Sequence, residues 1–418
     1  MIAISVILIL LAILGAPLFA IIATSAMIGT ANSDMPLTLM VLDVLRLADM
    51  QFLSAIPLFT FAGYLLSESN APKRLVRMTN AILGWMPGGL AIVCIAACAF
   101  FTAFTGASGV TIIALGAILY PALKQDGYGD KFNLGLVTSS GSLGLLFAPS
   151  LPLILYGVVA EVSIDDLFLA GIFPGLIMLM MLSGWSLWAN RENRKTLNAF
   201  SFRELGGALR EAIWELPLPF VVLGGIYSGF LAVSEAAAIT ALYVLIVEVL
   251  IMREIRIAEL PRILRASMVL VGGILVILAV SIASTSYMIN ADVPQKLLDF
   301  IAGFVSNQTT FLILLLVFLL ILGAILDIFS AIVLVVPLIL PIAAGYDVHP
   351  VHLGIVFLAA MQLGYLTPPV GLNLFIASYR FEKPIMHVYS ATFPFLIILL
   401  LSVLIITFWP QLSLWLLE

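Results

Sequence analysis

Charge is scarce in this sequence. Only 10% of its 418 residues are Asp, Glu, Lys or Arg, against about a quarter in soluble domains, which excludes a solvated globular surface. The net charge of −5 says little for a chain whose charges sit in loops, and no nucleic-acid partner is expected. Cysteine is nearly absent. Cys94 and Cys98 stand one helical turn apart in an apolar run, which suits small packing residues and lacks the further ligands a metal needs. Histidine is limited to His349, His352 and His387, all read as loop residues. No GxxxxGK run occurs, so ATP is not the energy source.

What the chain does have is apolar sequence. At 63% hydrophobic residues and a mean hydropathy of +1.20, it reads as a polytopic membrane protein over its whole length. Ile2–Ile28 is long enough for a first span and lacks a basic n-region and cleavage site, so it reads as retained rather than as a signal peptide. Residues 35–50 alternate apolar and charged in helical fashion and suit the interface. Phe52–Leu66 is a short span. Gly88–Leu123 is too long for one, and TGASG at 105–109 interrupts it. Leu134–Val159, Leu167–Trp188, Leu216–Val233, Ala236–Met252, Met268–Ile289 and Tyr389–Leu412 are further spans. Threaded with Gly88–Leu123 and Thr310–Pro341 as re-entrant hairpins, the chain places every Lys and Arg except Arg46 and Lys296 on one side, as the positive-inside rule demands.

Two segments cannot be uninterrupted helices. MQLGYLTPPVGLNLFIAS at 361–378 holds Pro368, Pro369 and Gly371, and APSLP at 148–152 holds Pro149 and Pro152. Each proline lacks an N–H and clashes with the preceding turn. In hydrocarbon such a break survives only where protein or a watery cavity satisfies the freed backbone groups. The surroundings also match: Pro121 with Pro341, Tyr128 with Tyr346, Gly135 with Gly354, Pro149 with Pro368, and Phe173-Pro174 with Phe393-Pro394. The interval from Pro121 to Pro174 equals that from Pro341 to Pro394.

The expected fold is therefore an all-α polytopic membrane protein of two inverted repeats, each with a re-entrant helical hairpin and a broken transmembrane helix. Residues 1–195 form the first repeat, with its hairpin at about 88–123 and broken helix at about 134–159. Residues 196–233 are a cytoplasmic linker and connecting span. Residues 234–418 form the second repeat, with hairpin at about 310–341 and broken helix at about 352–378.

Hairpin tips and helix breaks bring backbone ends to the bilayer midplane. Helix C-terminal carbonyls suit a hard cation such as Na⁺, and N-terminal amides suit a carboxylate. The candidate ion and substrate ligands are Thr105, Gly106, Ser108 and Thr111 on the first hairpin and Pro149 and Ser150 at the first break. In the second half they are Asp327 and Ser330 on the hairpin, with Thr367, Pro368, Gly371 and Asn373 at the break. A carboxylate deep in a span, as at Asp327, either serves function or caps the hairpin tip. Glu235 follows Ser234 at a helix start, where the dipole favours it.

AIPLFTFAGYLL at 55–66, the hairpin at 88–111, the block FAPSLPLILYGVVAEVSIDDLFLAGIFPGLI at 147–177, the stretch 217–238 and LTPPVGLNLFIAS at 366–378 resemble the large membrane subunit of tripartite ATP-independent periplasmic (TRAP) transporters, the DctM-like family. Two places depart from that pattern: GASG at the first tip, where the family often has GSS, and Arg380 soon after the second break. The resemblance implies an elevator-type carrier, not an enzyme, in the bacterial inner membrane. It would import an organic acid such as a C4-dicarboxylate or sugar acid, together with Na⁺. It further implies a periplasmic substrate-binding protein and a small DctQ-like membrane subunit of four helices as partners. A one-component Na⁺/dicarboxylate symporter is the alternative. Gly106–Gly109 also fits the GxSG pattern around an intramembrane protease serine, which lacks a base here.

Overall fold

The computed structural model describes residues 7, 8, 10, 11, 14, 16–33, 36–50, 53–86, 88–191 and 201–417. The start of the expected first span and the basic residues Arg194 and Lys195 lie outside them. Among the described residues the chain is helical, with no strand. Five helices among the described residues are long and apolar enough to cross a membrane: Ile164–Ala189, Val233–Ile251, Ile257–Asn290, Gln308–Ile325 and Ile385–Phe408. Counting two bent pairs as spans gives seven. One pair is Ser108–Ala114 with Gly116–Gln125, bent by 49°, and the other is Asp130–Leu146 with Leu151–Ala160, bent by 43°.

Both hairpins break at matched places. The leading helices end at Thr105 and Ile325, and the trailing ones begin at Ser108 and Ile328, equally far ahead of Pro121 and Pro341. The two halves also exchange partners. The first hairpin's trailing helix, Ser108–Ala114, packs on Leu372–Arg380 from the second break, and the second hairpin's trailing helix, Ile328–Ala344, packs on Leu151–Ala160 from the first. Tyr156, fully buried, donates its hydroxyl to the Pro350 carbonyl at 2.7 Å. Glycine at 354 leaves room for the Tyr156 ring, since a Cβ there would come within 2.5 Å of it.

Several expectations need correction. The helix expected from Met268 runs from Leu260 to Asn290, 31 residues in all, so Arg262 and Arg265 stand on its first turns rather than in a loop. Pro261 is tolerated in its first turn, and Arg262 reaches Glu68 at 2.7 Å. The span expected to end at Val233 is helical only over Pro217–Tyr227, since Gly229 takes a positive φ just beyond it. His352 and His387 are not loop residues. Pro350 opens a helix that buries His352 between Ser413 and the Thr407 carbonyl, His349 caps that helix, and His387 lies in the first turn of Ile385–Phe408. Cys94 and Cys98 are buried free thiols.

Candidate functional site

At the first hairpin tip the chain must turn back within two residues. Gly106 does this at φ +64°, a conformation glycine adopts without penalty, and a Cβ there would come 2.7 Å from the Leu151 side chain. Thr102 Oγ1 donates to the Gly141 carbonyl at 2.8 Å, so the 2.6 Å contact between Thr102 and Thr111 hydroxyls has Thr111 as donor. The hairpin is thereby held against the first break, with Thr105, Ser108 and Thr111 all buried.

The first break begins earlier than APSLP. Its leading helix, Asp130–Ser140, stops at the run Ser139-Ser140-Gly141-Ser142, a 3₁₀ turn follows at Leu143–Leu146, and helix resumes at Leu151. Serine hydroxyls compete with the backbone for hydrogen bonds, and glycine has poor helix propensity. Pro149, in a cis peptide bond with Ala148, and Ser150 are buried beyond that point. The hydroxyls of Thr105, Ser139, Ser142 and Ser150 are all buried without a hydrogen-bond partner. Leaving one such group unpaired costs about 1–3 kcal/mol. Four on two mutually packed segments form an oxygen-rich surface suited to a hard cation.

In the second half, Leu326 and Asp327 are extended between the hairpin helices. Half-buried Asp327 accepts the Ser330 N–H at 3.0 Å as the cap of Ile328–Ala344, and Tyr365 Oη accepts the Ile328 N–H at 2.5 Å. The Gly371 amide donates to the Ala324 carbonyl at 3.0 Å. Gly323 and Gly364 touch backbone to backbone, a Cβ on Gly364 falling 2.6 Å from the Gly323 Cα. Pro368 and Pro369 are joined by a cis bond and stand exposed. Thr367 donates its hydroxyl to the Leu363 carbonyl of its own helix at 3.0 Å.

One contact joins the two halves. Ser108 Oγ donates to Asn373 Oδ1 at 2.7 Å, both residues being buried, and Asn373 Nδ2 has no partner. Asp327, Ser330 and Thr367 take no part in that contact: their hydrogen bonds close on the second hairpin or on their own helix. Ser108 faces an amide rather than a base, which removes the requirement for proteolytic chemistry. Glu235 caps its helix by accepting the Ala232 N–H at 2.9 Å, and exposed Arg380 donates to the Ile113 carbonyl at 3.2 Å. Sequence reasoning missed Thr102, Ser139, Ser142 and buried Gln362, whose two amide atoms are unpartnered. The Ser-Ser-Gly-Ser run was the available signal for the serines.

Residues 2–412 match the family described as "Tripartite ATP-independent periplasmic transporter, DctM component". The chain is 34% identical over 363 residues to the C4-dicarboxylate TRAP transporter large permease protein DctM of Pseudomonas aeruginosa, covering 87% of this chain and 85% of that one. It is 33% identical over 355 residues to the isethionate TRAP transporter permease protein DctMQ of Oleidesulfovibrio alaskensis, covering 84% and 56%. It is also 33% identical over 366 residues to the ectoine/5-hydroxyectoine TRAP transporter large permease protein UehC of Ruegeria pomeroyi, covering 87% and 85%. In fold it is similar to the YdaH transporter of Alcanivorax borkumensis, with a TM-score of 0.58 at 12% identity over 89% of this chain and 87% of that one.

Proposed function

This chain belongs to the DctM-component family of tripartite ATP-independent periplasmic transporters, and on that premise we propose that it is the inner-membrane carrier subunit that imports a small organic acid with Na⁺. The family is one of transporter subunits, not enzymes. The observation that carries Na⁺ coupling is the group of unpaired buried hydroxyls on Thr105, Ser139, Ser142 and Ser150, where first hairpin and first break meet. Lone pairs of these oxygens, with carbonyls freed by the break, would replace the ion's hydration shell. The free donor of Asn373, at the start of the Leu372–Arg380 helix, suits a carboxylate or sulfonate oxygen.

In this reading substrate and ion bind between hairpin tips and breaks, and the two hairpins with their broken helices move together past the remaining helices, as in an elevator. The substrate comes from a periplasmic binding protein, and a small membrane subunit braces the static helices. Relatives carrying C4-dicarboxylate, isethionate and ectoine in their names favour a small acidic or zwitterionic solute. The test is uptake into proteoliposomes containing this chain and its small subunit, with the cognate binding protein added outside. Uptake of an organic acid should need an inward Na⁺ gradient and no ATP. Full-rate uptake with Na⁺ absent would overturn the coupling.

A further inference from the structure

Away from the breaks, Arg74 of the Ala71–Leu83 helix is buried against three carboxylates. Glu215 Oε1 lies 2.5 Å from the guanidinium, Glu248 Oε1 lies 3.2 Å from it, and Glu254 Oε1 is in direct contact. Side-chain exposure is 8% for Arg74, 3% for Glu215, 1% for Glu248 and 16% for Glu254. Glu254 is fully engaged, its second oxygen accepting the Asn70 N–H at 2.7 Å. The second oxygens of Glu215 and Glu248 are buried without a donor, the Ser69 hydroxyl beside Glu248 being given to the Leu66 carbonyl at 3.0 Å.

The neighbouring charges offer no relief. Glu68 pairs with Arg262, and Arg77 with Glu204 and Glu211. Lys73 donates to Asn70, and the Tyr243 hydroxyl to the Trp214 carbonyl. Fully ionised, the cluster would bury two uncompensated negative charges, which pairing in a low-dielectric interior does not repay. A metal is not the remedy, since among the described residues no group of three or more His, Cys, Asp or Glu is placed to hold one. A proton is, because it removes one charge and adds a donor where two acceptors lack one. Burial also pushes the Glu215 carboxyl above its ordinary range against the pull of Arg74. Glu248 has the longest link to Arg74 and the least exposure, and it sits on a π turn, Ile246–Ile251, a distortion frequent at functional positions.

We propose that this cluster binds one proton, held by Glu248, as a proton-dependent clasp fastening the Ala71–Leu83 helix, which leads into the first hairpin, to the Val233–Ile251 span. A group protonated in the fold and ionised in the unfolded chain contributes stability that is full in acid and lost as pH rises through the cluster's titration. The experiment is melting of the purified full chain in detergent from about pH 6 to about pH 9, beside infrared detection of a protonated carboxylic acid. Between the titration of free glutamate, about 4.3, and that of the cluster the folding equilibrium should fall about tenfold per pH unit, levelling off above it. Glu248→Gln, neutral and similar in shape, should keep the melting temperature seen in acid, flatten its pH dependence and remove the infrared carbonyl band. A wild-type melt that does not respond to pH, or a band that persists in Glu248→Gln, overturns the proposal. Should Glu248→Gln fail to fold, lack of the band in wild-type protein at neutral pH overturns it. Na⁺-dependent stabilisation that Glu248→Gln removes, with no band, would assign a cation instead and overturn the proton.

Discussion

Ser108 Oγ and Asn373 Oδ1 are 2.7 Å apart although the residues are 265 positions apart in sequence, so the first hairpin tip is hydrogen-bonded to the helix that follows the second break. A substrate bound between the halves, as proposed, would have to accommodate this link, and the free Asn373 amide hydrogens would be its point of attachment.

Ser108→Ala should therefore leave a buried amide oxygen unpaired, at a cost of about 1–3 kcal/mol. Substrate uptake and melting temperature should both fall, and Asn373→Ala should behave alike. Because the residues share one hydrogen bond, the double variant should be less impaired than the sum of the two, by about 0.5–3 kcal/mol. Strictly additive losses would show that the two side chains act separately.

Glycine contacts make a second prediction. Gly364→Ala puts a methyl 2.6 Å from the Gly323 Cα, backbone against backbone, and should disrupt the packing of second hairpin on second break with loss of stability and uptake. Gly184→Ala, on the Ile172–Ala189 helix with nothing within 4 Å, should be neutral or stabilise by up to about 1 kcal/mol. Equal melting temperatures for the two would contradict the close approach.

Membrane orientation is checked by thiol labelling. Single cysteines at Arg210 and Arg256 should be shielded from an impermeant reagent added outside intact cells, and one at Glu161 should react. Cys94 and Cys98 are buried and give little background. External labelling at all three positions would refute the threading in which the two hairpins open to opposite sides.

What the sequence revealed of this arrangement depended on the kind of residue responsible. Pro149 and Pro368 announce breaks because a missing N–H cannot be compensated locally. The earlier stop at Gly141 rests on small hydroxyl residues that read as ordinary packing in an apolar run. His352 was read as a loop residue, whereas Pro350 opens the helix that buries it. The Ser108–Asn373 link has no local pattern at all. Nor does the Arg74 cluster, whose members come from three separate segments.

Asp327 separates an ion ligand from a structural cap. Its Oδ2 accepts the Ser330 N–H at 3.0 Å, so capping is one role, and its half-buried carboxylate beside the second break leaves charge for an ion. Asparagine caps helices about as well as aspartate, so Asp327→Asn should leave the melting temperature nearly unchanged. It should also lose one charged interaction of about 1.5–3 kcal/mol, raising the Na⁺ concentration for half-maximal uptake about tenfold to a hundredfold. Asp327→Ala should lose both functions, with a further about 0.5–2 kcal/mol of stability from the missing cap. The measurement is a Na⁺ titration of uptake beside a melting curve for each variant. An unshifted titration in Asp327→Asn, with a lowered melting temperature in Asp327→Ala, would leave Asp327 as a cap and remove it from the ion site.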